Sequence, residues 1–140
     1  MGAVASQNIT LPSLGPQVLD LLEQGVAPSE ALAALAGQDH SEYRQVTVID
    51  NQGRTAHFSG AQTLGIHHAV SGEQCVAAGN MLAHPGVIEA MVRAFENASG
   101  HLADAVQRID DRQRDGLLKI ETGRIPGLQI GIERTIGLRT

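Results

Sequence analysis

The sequence predicts an α+β domain of layered helices and antiparallel strands, on three observations. Blocks of strand-like residues alternate with blocks of helical periodicity. A hairpin signal, Asp50-Asn51-Gln52-Gly53, joins two β-rich runs. The core must be built from Ala, Val, Leu and Ile, because Trp is absent, Tyr occurs once and Phe twice. Small aliphatic side chains let sheets and helices pack closely.

The elements follow in order. Gly2 to Gln7 (GAVASQ) alternates small and apolar residues, as expected of a strand pressed between two layers. Gly15-Pro16 then opens a helix, since Pro suits a first helical turn. Val18, Leu19, Leu21 and Leu22 interleave with Gln17, Asp20, Glu23 and Gln24 at helical spacing, and Gly25 is placed to end it. A second helix is expected over Pro28 to Ala36, with Ala31, Leu32 and Leu35 inward and Gly37 as its stop.

Tyr43 to Ile49 (YRQVTVI) and Arg54 to Ser59 are the two strands of the hairpin. Gly60 to Gly72 is rich in Gly and His, and the glycines of Gly60 to Gly65 are expected to permit tight turns in a loop between strands. Gln74 to Ala78 should be a short strand that ends at Gly79-Asn80. The clearest helix carries Val87, Ile88, Met91, Ala94, Phe95 and Ala98 on one face and Glu89, Arg93, Glu96 and Asn97 on the other, and Gly100 breaks it. A further helix from His101 to Gln113, and strands at Leu117 to Ile120 and Leu128 to Ile132, complete the expectation.

At 140 residues the chain fits one domain, and a chain of that size buries about two-thirds of its unfolded surface. Sixteen glycines and five prolines imply short elements and tight turns. The net charge of −5 argues against nucleic acid or an anionic membrane as the main partner. It is unevenly spread: residues 1–107 hold three basic and ten acidic residues, a balance of −7, whereas residues 108–140 hold seven and five, a balance of +2. That shift sets a boundary between a 1–107 domain and a divergent 108–140 segment. The single Cys75 forms no intrachain disulfide, no secretion signal leads the sequence, and no apolar run is long enough to span a bilayer, so a cytoplasmic protein is expected. Asn8-Ile9-Thr10 and Asn97-Ala98-Ser99 fit the glycosylation pattern, which without such a signal is a chance match.

Several kinds of chemistry can be tested on the residues. Gly60-Ala61-Gln62-Thr63-Leu64-Gly65 has the spacing that opens a phosphate-binding P-loop, but Ile66-His67 stands where Lys and Ser or Thr must hold phosphate and magnesium. His57, His67, His68 and His84 cluster in sequence, yet no pair supplies two ligands from one element, so structural or solvent-exposed roles fit better than a metal site. Cys75 within Cys75-Val76-Ala77-Ala78 reads as a small core residue in preference to a thiolate nucleophile. The acidic residues are dispersed along polar faces, and no Gly-x-Ser-x-Gly elbow is present. Nothing in these residues demands a cofactor.

Three stretches carry a resemblance: residues 2–25 (GAVASQNITLPSLGPQVLDLLEQG), 42–60 (EYRQVTVIDNQGRTAHFSG) and 72–100 (GEQCVAAGNMLAHPGVIEAMVRAFENASG). In order and spacing, over about residues 2–107, they are similar to the Ntn-hydrolase-like family known as domain-of-unknown-function family ten-twenty-eight. The run from Cys75 to Leu82 is the most specific piece. The resemblance implies a four-layer α/β/β/α sandwich, with helices outside two facing antiparallel sheets. It also implies hydrolysis of a small amide by an N-terminal Ser, Thr or Cys whose own amino group is the base.

In the family a strand and a hairpin precede the segment equivalent to GAVASQ and carry that nucleophile, so the sandwich is expected to be incomplete at its N-terminal edge. Ser6 is the hydroxyl nearest the start of the chain and is a candidate catalytic residue. Asn80 is a candidate oxyanion or ligand donor, and Gly79-Asn80 a candidate ligand site, against the plainer reading of a turn in which both residues accept positive φ. Three functions follow: a small-amide hydrolase; a non-catalytic protein that binds a small molecule or self-associates; or an inactive gene fragment. Exposed sheet edges favour a homo-oligomer.

Overall fold

The computed structural model describes residues 2–99. The expected helix at His101 to Gln113, the strands at Leu117 to Ile120 and Leu128 to Ile132, and the 108–140 segment lie outside the described residues. Five strands and three helices are present in this span: β1 (Gly2–Asn8), α1 (Leu14–Glu23), α2 (Pro28–Ala33), β2 (Arg44–Asp50), β3 (Thr55–Ser59), β4 (Ile66–Gly72), β5 (Cys75–Leu82) and α3 (Gly86–Glu96), with a 3₁₀ turn at Ser41–Tyr43. The protein is a mixed α+β structure. One antiparallel sheet has the order β1-β2-β3 and the other pairs β4 with β5.

Helix α1 buries Leu14, Val18 and Leu22, one residue per turn along a single stripe. Gly25, at φ +85°, stops it as expected. The amide of Gly25 donates to Leu22 O and that of Val26 to Leu21 O, both at 3.0 Å, the paired bonds of a Schellman end. Helix α2 starts on Pro28 but is shorter than the sequence suggests. After Ala33 the amides of Leu35, Ala36 and Gln38 reach back only three residues, so the chain tightens into successive turns that keep Leu35 buried while redirecting the backbone toward the left-handed His40.

Strand β2 is central. It pairs with β1 from Gly2↔Asp50 to Asn8↔Arg44 and with β3 from Gln45↔Ser59 to Ile49↔Thr55. Residues directly opposite one another share a face, so Val4, Val46, Val48, Ala56 and Phe58 point to one side. There they join Leu14, Val18, Leu22, Ala31, Leu32 and Leu35 in the main apolar cluster. The opposite face of β2 carries Gln45, Thr47 and Ile49. The second sheet approaches on that side, where β5 contacts β2 and β4 contacts β3.

Helix α3 covers the second sheet and is seated on glycines. A Cβ at Gly72 would lie 2.5 Å from Cγ1 of Val92 and 2.8 Å from Sγ of Cys75. Ile88 and Val92 are the buried residues of α3; Val92 is absent from the expected stripe, although it stands one turn after Ile88 on the same face. At the C-terminal end of α3, Oε1 of Glu96 accepts the amide of Glu73 at 2.9 Å, which ties the helix to the β4–β5 turn.

The second sheet departs from the sequence reading in two places. The Gly- and His-rich segment holds a strand to which the sequence pattern assigns no element: β4 begins at Ile66, because Ile66, Ala69 and Val70 find partners in β5 that no local pattern reveals. Strand β5 does not end at Gly79-Asn80 but runs through them to Leu82, and the positive φ values fall on Gln74 and Met81 instead. Only the first part, Gly60 to Gly65, is a connection. Buried Thr63 anchors it to Arg44 O, and the amide of Gly60 bonds the same carbonyl at 2.8 Å.

The β2–β3 turn is held by Asp50. Its Oδ1 accepts the amides of Gln52 and Arg54 at 2.9 Å, and its Oδ2 accepts Nε of Arg54 at 2.6 Å. Burial raises the pKa of this carboxyl, but the bonds from Arg54 and Gln52 outweigh it and hold the pKa below its ordinary 3.8. A depressed carboxyl contributes stability that is present above the unfolded-state value and is lost as pH falls through the folded one. Asp50→Asn should therefore lower the thermal midpoint at neutral pH and flatten its fall below pH 3.8, as a melting series over pH 2–7 will show.

Candidate functional site

The inter-sheet face is polar where the helix-facing side of β2 is apolar. Gln45 is wholly buried there. Its Nε2 donates to Ser59 Oγ at 3.0 Å and to Gly79 O at 3.1 Å, with a longer contact of 3.4 Å to His68 O. Its Oε1 accepts Nδ2 of Asn80 at 3.2 Å. One side chain from β2 thus engages β3, β4 and β5. Beside it, Nε2 of Gln7 donates to Ala78 O at 3.3 Å and joins β1 to β5 directly. Asn8 closes the end of β1 by donating to Tyr43 O.

Next to this network lies a groove of about 840 Å³. Residues 4–12 and 78–82 form its walls, and Leu19 from α1 and Val87, Ile88 and Met91 from α3 line it on either side. Among the described residues no ionisable side chain lines it; its polar side chains are the amides of Gln7, Asn8 and Asn80 and the hydroxyl of Thr10, with the hydroxyl of Ser6 buried behind the wall. Ile9, Leu11, Leu64 and Met81 along the groove are large apolar residues left exposed.

The candidate residues from sequence meet here. Ser6, Gly79 and Asn80 all line the groove. Ser6 pairs with Val46 and so faces the α1 side, where its Oγ is buried without a hydrogen-bond partner. A nucleophilic hydroxyl needs a base within hydrogen-bond reach, and none of the described residues provides one. Asn80 commits one N–H to Gln45 and retains the second and its carbonyl oxygen for the groove. Gly79 is explained by packing: a Cβ there would sit 3.0 Å from Cδ1 of Ile88 and 2.9 Å from Cδ2 of Leu82.

The other groups stand apart. Burial first, then the Glu96 carboxylate, push the Cys75 thiol up, so it is protonated at neutral pH. Burial and the neighbouring His68 lower the pKa of His57, which leaves it neutral at pH 7. His67 bonds Gly65 O at 3.2 Å, His68 faces Glu89 at 3.6 Å, and Nδ1 of His84 accepts the amide of Gly86 at 3.0 Å. These rings point to different partners, and no group of three or more His, Cys, Asp or Glu residues among those described is placed to hold a metal. No helix among them is long and apolar enough to cross a membrane.

Sequence reading missed Gln45, the group on which the site turns. The available signal was a Gln and a Thr alternating with Val in a strand that is buried on both faces, a pattern that marks a polar layer.

The fold and groove define a small mixed α+β domain built on two antiparallel sheets. The family of unknown function DUF1028 matches residues 1–109, and the chain belongs to it. The crystal structure of a Silicibacter pomeroyi protein matching the same DUF1028 family is similar, with a TM-score of 0.76 and 28% sequence identity, covering 82% of this chain and 52% of that one. The chain therefore spans about half the length of that protein. No curated protein matches the sequence.

Gln45→Leu keeps the volume but strips partners from Asn80, Ser59 and Gly79 O. It should destabilise the fold by about 2 kcal/mol, the cost of leaving buried polar groups unpaired, as read by urea unfolding. A double-mutant cycle with Asn80→Ala should show the two substitutions to be non-additive.

Proposed function

We propose that residues 2–99 belong to a four-layer α/β/β/α sandwich of Ntn-hydrolase type whose groove between β1 and β5 binds a small, uncharged, amide-bearing molecule. The layered reading is supported by the contact order: α1 and α2 touch the first sheet, the two sheets touch each other, and α3 touches the second. The single observation that carries the binding reading is the lining, in which side-chain amides and the Thr10 hydroxyl sit among apolar residues with no ionisable group among the described residues. Such a site offers no counter-charge to a charged ligand, whose desolvation its amides and hydroxyl would offset only in part. It offers matched donors and acceptors to a neutral amide.

Hydrolysis of that amide, which the resemblance implies, needs an activated nucleophile. Ser6 lines the groove without a base in reach, so for this chain binding is the favoured activity and turnover is not. A cytoplasmic location belongs to the same proposal and rests on the single cysteine.

The test is a titration of the full chain with N-acetylvaline methylamide, followed by amide NMR shifts. Perturbations should concentrate on residues 4–8 and 78–82, weaken at least fivefold in Asn80→Asp, and be accompanied by no release of methylamine. Shifts confined to other surfaces, or none at millimolar ligand, would overturn the reading.

A further inference from the structure

Away from the groove, one charge in the interior has no counter-charge. Arg44 opens β2 on the face that carries Val46 and Val48, and only 7% of it is exposed. No carboxylate of the described residues forms an ion pair with it. Its Nε donates to His40 O at 3.2 Å and its Nη2 to Asp39 O at 2.9 Å. The left-handed His40, at φ +63°, folds those two carbonyls onto one edge of the guanidinium. A guanidinium has five N–H groups, so those of Nη1 and the second of Nη2 are left for other acceptors. Nη1 is buried and has no hydrogen-bond partner.

Two carbonyls answer a buried cation with partial charges only. A charge out of water needs a counter-charge, and its remaining donors need acceptors. A small cavity lies against this side of Arg44. Leu14, Leu32, Leu35 and Phe58 form its apolar wall, and the half-buried Gln38 and Ser41 are its other polar members. Ser41 Oγ donates to Ala36 O at 3.2 Å and Gln38 Nε2 to Gln17 Oε1 at 3.1 Å, so neither is bonded to the guanidinium. No acidic side chain of the described residues lines the cavity. Its volume of about 10 Å³ is the room of one water-sized sphere.

We infer that this cavity binds a single monatomic anion of the halide class, chloride in ordinary media, held by the Nη1 edge of Arg44. Size selects within the anions: sulfate, phosphate and carboxylates have several heavy atoms and do not fit a space for one. Charge selects between a halide and water, because a water accepts an N–H bond without compensating the cation. The bound ion ties the turn after α2 to the start of β2, and its occupancy stabilises the folded chain by mass action.

The experiment melts the full chain at constant ionic strength while sodium chloride replaces sodium gluconate, whose anion is too large to enter. The thermal midpoint should rise by about 4 °C as chloride goes from about 1 to about 150 mM, as expected of a ligand that binds only the folded state. Gln38→Glu places a carboxylate at the cavity in a half-buried position. It should raise the midpoint at low chloride toward the high-chloride value and cut the chloride response to about half or less, because the ion then competes with a fixed charge. Arg44→Met should abolish the response; if that variant does not fold, the native chain and Gln38→Glu decide. Equal midpoints in chloride and gluconate overturn the inference, since a water or a group of the protein then completes the guanidinium. A chloride response undiminished in Gln38→Glu also overturns it, because the ion then binds elsewhere.

Discussion

A buried side-chain amide is the constraint on which the two sheets depend. Gln45 lies wholly out of solvent, and an amide in that position costs several kilocalories per mole if its donors and acceptor go unpaired. It is paired only when Ser59, Gly79 O and Asn80 all stand within 3.0–3.2 Å of it. Those partners come from different strands in both sheets, so one side chain sets the spacing of the sheets and the register of β5 against β2. Apolar contacts alone would not do this, because they tolerate sliding that a hydrogen bond does not.

The two faces of β2 divide the work. Toward α1 and α2, Val46 and Val48 join a cluster of Leu, Val and Ala, and burial there supplies most of the driving force. Toward the second sheet, Gln45 and Thr47 replace aliphatic residues, and the interface is specified more than it is strengthened. Helix α3 can then close over the second sheet because Gly72 and Gly79 leave room for Val92 and Ile88.

Much of the first sheet and its helices was legible in the sequence. Helix α1 announced itself by its stripe and by Gly25, and the β2–β3 hairpin by Asp50 to Gly53, because both rest on interactions within a few residues. The second sheet was harder. Strand β4 carries two histidines and a serine, and its pairing with β5 is irregular at Ile66 and His68; its extended state comes from partners distant in sequence, not from local preference. Gly79-Asn80 looked like a turn for the same reason: both residues favour turns locally, but Gln45, remote in sequence, holds them in a strand. The candidate residues Ser6, Gly79 and Asn80 do converge on one groove, yet their meeting depends on the pairing of Gln7 with Ala78 across the sheets, which no sequence spacing encodes.

The groove walls are neutral among the described residues although the chain is acidic. The net charge is −5, and none of the described acidic groups lines the groove. Charge placed there would have to be desolvated in a slot walled by apolar side chains, at a cost that the available amides and hydroxyl would offset only in part. Excluding charge leaves Asn80 and Gln7 as the groups that can discriminate between ligands. Their hydrogen bonds are short-ranged and indifferent to salt, so recognition in this groove depends on geometry rather than on long-range attraction. That geometry is set by the same network that holds the sheets apart: Asn80 is oriented by Gln45, and Gln7 is fixed by Ala78 O. The residues that define the fold at its centre therefore also define the shape of the site beside it.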